Sequence, residues 1–394
     1  MNSFPLDDIK VISLEQAVAA PFASRQLAEL GARVIKVERP KVGDFARNYD
    51  DTVQGLSANF VWLNHSKESL TLDIKSDDGK KILHKLLETA DVLIQNLIPG
   101  AIERLGFSDE FLKKNYPQLI ICHISGYGRN GSFANKKAYD LLIQCEAGLT
   151  SITGSPETPS KCGVSIADIA AGMYAYTGIL TSIINRYKTN RGGVIEISML
   201  ESLAEWMKFP ALYVNHSEKK LGRIGSSHFS IYPYGPFKCG DDKVVMIGIQ
   251  NEREWAQFCT NILRDISLIE NDKFKTNSLR SKNRKILEEI IIKKLSDQKR
   301  DDVISELDNA NIANARVNDL YEFWNHYQLK ERNRWTDVSS ENGLLKTLIP
   351  PVTADSFNTK ISKIPSLGEH SQKILNEIHY DKQQIFEFSK KGVI

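Results

Sequence analysis

One aspartate carries the strongest chemical signal in these 394 residues. Ser165-Ile-Ala-Asp168 has the spacing of a capping box, which puts Asp168 in the first turn of a helix made of small residues. A helix N-terminus favours a charged carboxylate, and its free N–H groups can fix the orientation of that group. An ionised, immobilised carboxylate beside an acyl donor is a nucleophile. The same spacing equally describes a plain helix cap, and the pattern alone leaves both readings open.

Three further polar residues, Arg39, Asn96 and Ser125, fall just past the ends of predicted strands, where open α/β sheets bind ligands. A cation there suits a phosphate-bearing anion, although each residue taken singly is also an ordinary loop residue. Gly126-Tyr-Gly128-Arg-Asn-Gly131 fits GxGxxG, but Ser-Phe-Ala-Asn-Lys-Lys follows it instead of an opening helix. No helix N-terminus then stands ready for a pyrophosphate, and the segment reads as a flexible glycine loop. The eight histidines form neither HExxH nor a tight cluster, the five cysteines are scattered without a CxxC, and Gly-x-Ser-x-Gly is absent. These patterns predict no metal site, no disulfide framework and no nucleophile elbow.

The elements that must position these residues alternate. Strands are predicted at Ile9–Leu14, Val34–Val37, Leu70–Ile74, Val92–Ile94, Leu119–Ile124 and Val194–Ser198. Helices are predicted from Pro21 to about Leu30, over Asp77–Thr89, shortly after Pro99, and over Ala167–Tyr187. Such alternation implies a mostly parallel sheet covered by helices. The character changes near Leu221: Gly225–Gly235 is Ser- and aromatic-rich, and a strand follows at Val244–Ile249. Residues 270–300 carry ten Lys or Arg against five Asp or Glu, and Arg280–Lys285 opens an amphipathic stretch whose basic side reads as a solvated face. This predicts a large domain over 1–205, a linker over 206–224, a small domain over 225–325, and a return linker with the rest of the large domain over 326–394.

Composition narrows the function class. Hydrophobic residues make up 41% and charged residues 25%, an ordinary globular mixture. Lys and Arg number 51 against 49 Asp and Glu, a formal net charge of +2, which argues against a nucleic-acid binder. No run approaches the ~20 apolar residues expected of a bilayer span, and the first residues lack a secretory pattern. The expectation is a cytoplasmic protein with no nucleic-acid or membrane partner.

Read together, several segments resemble the family III CoA-transferases, the group that includes formyl-CoA transferase and the α-methylacyl-CoA racemases. They are Gly31-Ala-Arg-Val-Ile-Lys-Val-Glu-Arg39-Pro, Leu70-Thr-Leu-Asp-Ile-Lys75, Gln95-Asn96-Leu-Ile-Pro-Gly100, Tyr139-Asp140, Gly163-Val-Ser-Ile-Ala-Asp168-Ile-Ala-Ala-Gly172, Gly193-Val-Ile-Glu-Ile-Ser-Met and Leu367-Gly-Glu-His370. The resemblance implies an α/β fold: a Rossmann-like large domain with a parallel sheet built from both chain ends, a smaller inserted α+β domain, and an interlocked homodimer. It implies that Asp168 is catalytic and that Val18, Ala19, Arg39, Leu72, Lys75, Asn96, Leu97, Arg104, Lys137, Tyr139 and Asp140 contact CoA, with Tyr139 and Asp140 beside the pantetheine end. The first loop, with Val18 and Ala19, departs from the formyl-CoA transferase pattern. Coenzyme A, as acyl-CoA, would be a substrate and not a permanently bound cofactor.

Two departures narrow the branch. Tyr139 stands where the racemases carry histidine, which removes one base from a two-base proton exchange. The loop from Gly225 through Ser-Ser-His228 to Tyr232 replaces a run of glycines and looks more like the branch acting on small dicarboxylates. There His228 and Tyr232 are candidates for the acyl or acceptor pocket, although His228 is equally a satisfied loop histidine. The expected activity moves CoA between a donor such as succinyl-CoA and a C4–C5 acid of the itaconate, mesaconate, citramalate or malate type. Asp168 would work through an anhydride and an aspartyl-CoA thioester, with oxyanion donors in the small-domain loop. The alternatives are an acyl-CoA racemase of the same fold and a non-catalytic CoA-binding protein.

Overall fold

The computed structural model describes residues 4–216 and 221–394, so residues 217–220 of the expected linker lie outside the described residues. The chain forms two compact units. The first comprises residues 1–149, 162–211 and 329–394, and the second comprises 150–161 and 212–328. Residues 150–161, assigned to the large domain by the sequence reading, therefore belong with the second unit.

In the first unit the chain runs through β1 (Lys10–Leu14), α1 (Ala19–Glu29), β2 (Arg33–Glu38), α2 (Ala58–Asn64), β3 (Glu68–Thr71), α3 (Asp77–Leu87) and β4 (Val92–Gln95). It continues through α4 (Ala101–Arg104), α5 (Asp109–Asn115), β5 (Ile120–Ser125), α6 (Asp140–Glu146), the single turn α7 (Leu149–Ile152), α8 (Ile166–Thr189) and β6 (Gly193–Ser198), and then α9 (Met199–His216), with residues 150–152 of α7 and 212–216 of α9 counted in the second unit. The six strands form one sheet in the order β3-β2-β1-β4-β5-β6, and all five neighbouring pairs are parallel.

Successive side chains of a strand face opposite sides, and here both sides are dry. Val11, Val34, Ile94 and Cys122 join the cluster under α1 and α8, while Ile12, Ile35, Leu93 and Ile121 join the cluster under α3 and α5. Gly31 ends α1 at φ +103, a conformation strained for any side chain. Ser76 and Ser108 cap α3 and α5 by accepting from the Gly79 and Phe111 N–H groups.

Four expectations need correction. The chain's C-terminal end adds no strand to the parallel sheet. It supplies the antiparallel pair β10 (Trp335–Ser340) and β11 (Gly343–Leu348), and the helices Ser371–Glu377 and Lys382–Lys390, whose Ile374, Leu375, Ile385 and Phe388 pack into the second cluster. The third strand ends at Thr71 instead of Ile74, because the Asp73 N–H turns away to the Val393 carbonyl of the C-terminal tail. α8 spans 24 residues and is long and apolar enough by composition to cross a bilayer, contrary to the reading of the sequence. In the fold, its Ala167, Ala171, Ala175 and Ile179 are buried in the first cluster, against α1. Ser165 is not a capping residue: its side chain makes no cap hydrogen bond.

The second unit contains β7 (Tyr234–Lys238), β8 (Val244–Gly248) and β9 (Ala313–Arg316) as an antiparallel sheet. With its helices it buries Trp255, Phe258, Leu287, Ile291 and Leu307. The basic stretch expected at its surface breaks at Asn283 into helices Asn277–Lys282 and Arg284–Leu295. Arg280 is fully buried, because its guanidinium donates to the Tyr232 and Phe274 carbonyls and to Glu252. Ile286, just after this basic run, is exposed.

Candidate active site

In the parallel sheet, β1 lies between β2 and β4, so the strand order reverses between β1 and β4. The crevice at the carboxyl ends of two such strands is where an open α/β sheet binds ligands. α8 joins β5 to β6 and runs back across the sheet, so its first turn, with Asp168, lies at the carboxyl ends of the strands.

Asp168 is partly accessible. Its helix is capped from another element. Asp140, the first residue of α6, accepts the N–H of Ala167 at 2.8 Å and that of Asp168 at 3.3 Å on Oδ1, and the Gln144 side-chain amide at 2.7 Å on Oδ2. Gln144 in turn accepts the Cys162 N–H at 2.8 Å. Asp140 thus takes the capping role that the sequence pattern gave to Ser165, and it brings a second carboxylate beside the first. Burial, and then the charge of Asp140, push the Asp168 carboxyl up to about 7. The helix N-terminus favours ionisation, as the sequence reading expected, but it is outweighed here. Titratable groups displaced in this way are a mark of reactive sites.

Tyr139, next to Asp140, is two-thirds exposed. Tyr49, in the loop after β2, also belongs to this neighbourhood. Burial and the charges of Asp44 and Asp168 raise its phenol above the ordinary range. It escaped the sequence reading, where its only signal is an aromatic residue placed after a strand end.

At the switch point the loops after β1 and β4 are locked together. The Asn96 side chain accepts the Gln16 N–H and donates to the Gln16 carbonyl, both at 2.9 Å. Both ends of the amide expected to meet CoA are therefore committed to the backbone. The Leu97 N–H donates to the Gln95 oxygen, whose amide nitrogen lies 2.6 Å from His123 Nδ1. That arrangement leaves the His123 proton on Nε2, facing Asp109 at 2.8 Å. Asp109 also holds Arg129, which reaches Glu103 and Glu196 as well. Arg129 belongs to the Gly126–Gly131 loop, so that loop is tied down by ion pairs and opens no helix.

Apart from Asn96, Leu97, Tyr139 and Asp140, the expected CoA contacts fall into two groups. Val18, Ala19 and Leu72 have buried side chains, and what they offer a ligand is backbone. Arg39, Lys75, Arg104 and Lys137 are exposed. Arg39 and Arg104 touch only nearby carbonyls, of Gly43 and Pro99, and none of the four cations makes an ion pair among the described residues. Arg39, Lys75 and Arg104 follow β2, β3 and β4 and share the carboxyl edge of the sheet.

His228 and Tyr232 belong to the second unit. His228 Nδ1 accepts the N–H groups of Ser230 and Ile231, and its ring stacks on Phe229 and Tyr234. These bonds occupy Nδ1 alone. Burial and the charge of Arg284 lower its basicity. Tyr232 is a core residue of that unit. Among the described residues no cluster of three or more His, Cys, Asp or Glu could hold a metal.

A sheet of this order, with two partly accessible carboxyls meeting at the first turn of a crossover helix, puts the protein in the open α/β class that binds its ligands at the carboxyl ends of the strands. The chain belongs to CoA-transferase family III, whose description it matches over residues 6–371, and it is a CoA-transferase. It is 32% identical over 399 residues to the succinyl-CoA:glutarate CoA-transferase of Homo sapiens, covering 100% of this chain and 90% of that protein. It is 28% identical over 408 residues to the succinyl-CoA–L-malate CoA-transferase beta subunit of Chloroflexus aurantiacus, covering 100% and 99%. Among solved structures it is similar to a CaiB/BaiF family protein from Brucella suis, with 31% identity, a TM-score of 0.85, and 96% and 100% of the two chains covered.

Proposed function

We propose that this enzyme moves CoA from succinyl-CoA to a small dicarboxylic acid of four or five carbons, with glutarate the first acceptor to test and malate, itaconate, mesaconate and citramalate after it. The observation that carries the reading is the Asp168–Asp140 pair: a partly accessible carboxyl whose pKa is pushed up to about 7 and which is held in place by its helix. A carboxylate with a raised pKa is more basic and a better nucleophile than an ordinary one, while remaining largely ionised in mildly alkaline solution.

The sequence of steps is ping-pong. Asp168 attacks the thioester carbonyl of the donor, forming a mixed anhydride and expelling CoA thiolate. The thiolate attacks the aspartyl carbonyl, releases succinate and leaves an aspartyl-CoA thioester. The acceptor carboxylate attacks that thioester, giving a second anhydride and thiolate. Attack of the thiolate on the acceptor's own carbonyl then forms the new acyl-CoA and frees Asp168. Arg39, Lys75, Arg104 and Lys137 suit the phosphates of CoA, and contacts that far from the reacting carbonyl supply binding energy for positioning it. We further propose a homodimer, supported by the exposed apolar side chains Trp206, Phe209 and Leu212 of α9.

Incubation with succinyl-CoA and labelled acids, quenched with hydroxylamine or borohydride, tests the reading. Transfer together with an adduct on Asp168 is expected, and both should vanish in Asp168→Ala. Transfer surviving in Asp168→Ala overturns the mechanism. Exchange of the α-proton without transfer assigns the protein to the racemases, and CoA binding with neither transfer nor adduct makes it a binding protein. Light scattering in solution at twice the chain mass is the result expected for the dimer.

A further inference from the structure

Ala17 stands at φ +62, in the left-handed region that a residue with a β-carbon avoids. It follows β1 and directly precedes Val18 and Ala19, so the strained residue sits in the loop at the switch point. Such a conformation persists only when its surroundings over-determine it, and here they do. Asn96 grips Gln16 at both backbone groups, Gln16 Oε1 accepts the Phe45 N–H at 3.2 Å, and Asp44 Oδ1 accepts the Ala17 N–H at 3.1 Å.

Asp44 is held in turn from behind. Its Oδ2 lies 2.7 Å from Lys36 Nζ, both side chains are fully buried, and its own N–H donates to Glu38. A buried ion pair is weak evidence of a contribution to stability, because desolvation offsets much of the attraction. What this pair does provide is a fixed acceptor under the Ala17 amide. The far end of the loop meets the catalytic helix: a β-carbon on Gly172, one turn beyond Asp168, would fall 2.7 Å from the Ala19 carbonyl oxygen.

We propose that Asp44, backed by Lys36, is a positioning residue for CoA transfer, fixing the Ala17 turn so that the 16–19 loop keeps its place against the helix that carries Asp168. The proposal rests on Asp168 as the nucleophile. Asp44 touches neither Asp168 nor, on this reading, the substrate.

Two double variants separate anchoring from folding. Lys36→Met with Asp44→Leu replaces the pair by apolar side chains and removes the acceptor, while Glu15 keeps Lys67 as its partner at 2.7 Å. Lys36→Met with Asp44→Asn removes the pair but keeps an oxygen for Ala17. The leucine pair should lower kcat for transfer from succinyl-CoA at least 30-fold, with KM changed less than 3-fold, and the asparagine pair should recover kcat to within about 3-fold of the parent. Amide hydrogen exchange over residues 15–19, read without substrate, should accelerate at least tenfold in the leucine pair alone, with the rest of the sheet unchanged.

Parental kcat in the leucine pair, or equal losses in both pairs, overturns the proposal. If the leucine pair does not fold, the Ala17 amide of the parent decides: exchange at the rate of an open loop overturns the anchor, and slow exchange lost in the single Asp44→Ser variant supports it. Because exchange needs no substrate, failure of the anchor is distinguishable from a wrong choice of donor or acceptor.

Discussion

Asp168 and Asp140 make one chemical unit, and its behaviour with pH follows from their proximity. With Asp168 as the proposed nucleophile, the ionised carboxylate is the attacking form, so kcat/KM should rise with pH through an acidic limb near 7. A profile flat from pH 5 to 8 excludes a raised carboxyl as the nucleophile. In Asp140→Asn the like charge is gone while an oxygen remains to cap Ala167, so the limb should move to lower pH; an unmoved limb removes Asp140 as a cause. The same displacement governs stability. An acid whose pKa is higher in the folded chain holds a proton there that the unfolded chain has already lost, so this contribution is complete below about pH 4 and disappears as pH rises to about 7. Asp168→Asn is exempt from that loss. Its melting temperature should match the parent near pH 4 and exceed it by a margin that grows to about pH 7 and then levels off, in a protein devoid of transfer activity; differential scanning calorimetry from pH 4 to 8 checks the sign.

At the scale of elements, the contact of α1 with α8 carries the most specific prediction. Gly172→Ala would put a β-carbon 2.7 Å from the Ala19 oxygen and 3.0 Å from Phe22 Cβ, neither at the flexible end of a side chain. A cost of about 1–3 kcal/mol is expected from such overpacking. Gly178→Ala, two turns on in the same helix, meets only the Ile195 methyl at 3.3 Å and should be nearly neutral, since alanine favours the helix. Equal melting temperatures for the two variants contradict the close approach. Much of this architecture was legible because a parallel sheet buried on both faces requires uninterrupted apolar strands, as in Val34–Val37 and Leu119–Ile124, and because glycine and serine mark helix ends locally. What escaped depends on distant partners. Asp140 caps a helix that begins 26 residues later, the tail at Val393 shortens the third strand, and burial of Arg280 needs carbonyls from Phe274 and Tyr232. For the candidate site, Asp168 and Arg39 stand out by local pattern and Lys75, Arg104 and Lys137 only by the family resemblance, whereas the occupied state of Asn96 and the nearness of Tyr49 are visible only in the fold.

For the whole molecule, a net charge of +2 conceals an uneven assignment of work. Lys36 and Lys67 are sealed inside the first unit, where each bonds to Glu15 and Lys36 also to Asp44. Their charges are cancelled where they stand. Arg39, Lys75, Arg104 and Lys137 have no acidic partner among the described residues and face solvent. Cations without internal partners add little to folding, so replacing them singly with glutamine should leave the melting temperature within about 2 °C, in line with changes of roughly 0.5 kcal/mol at exposed sites. On the proposed function their use is toward the phosphates of CoA, and exposed charges are screened over about 8–10 Å at ordinary ionic strength. KM for succinyl-CoA should therefore climb as sodium chloride is raised from 50 to 500 mM, with kcat at saturation nearly constant, because the phosphates lie far from the bond being broken. Each glutamine variant should raise KM about 3- to 10-fold and flatten that salt dependence, while KM for the acceptor acid stays put. A salt effect on kcat with KM unmoved would place the screened charges beside the reacting carbonyl and remove these four from the phosphates.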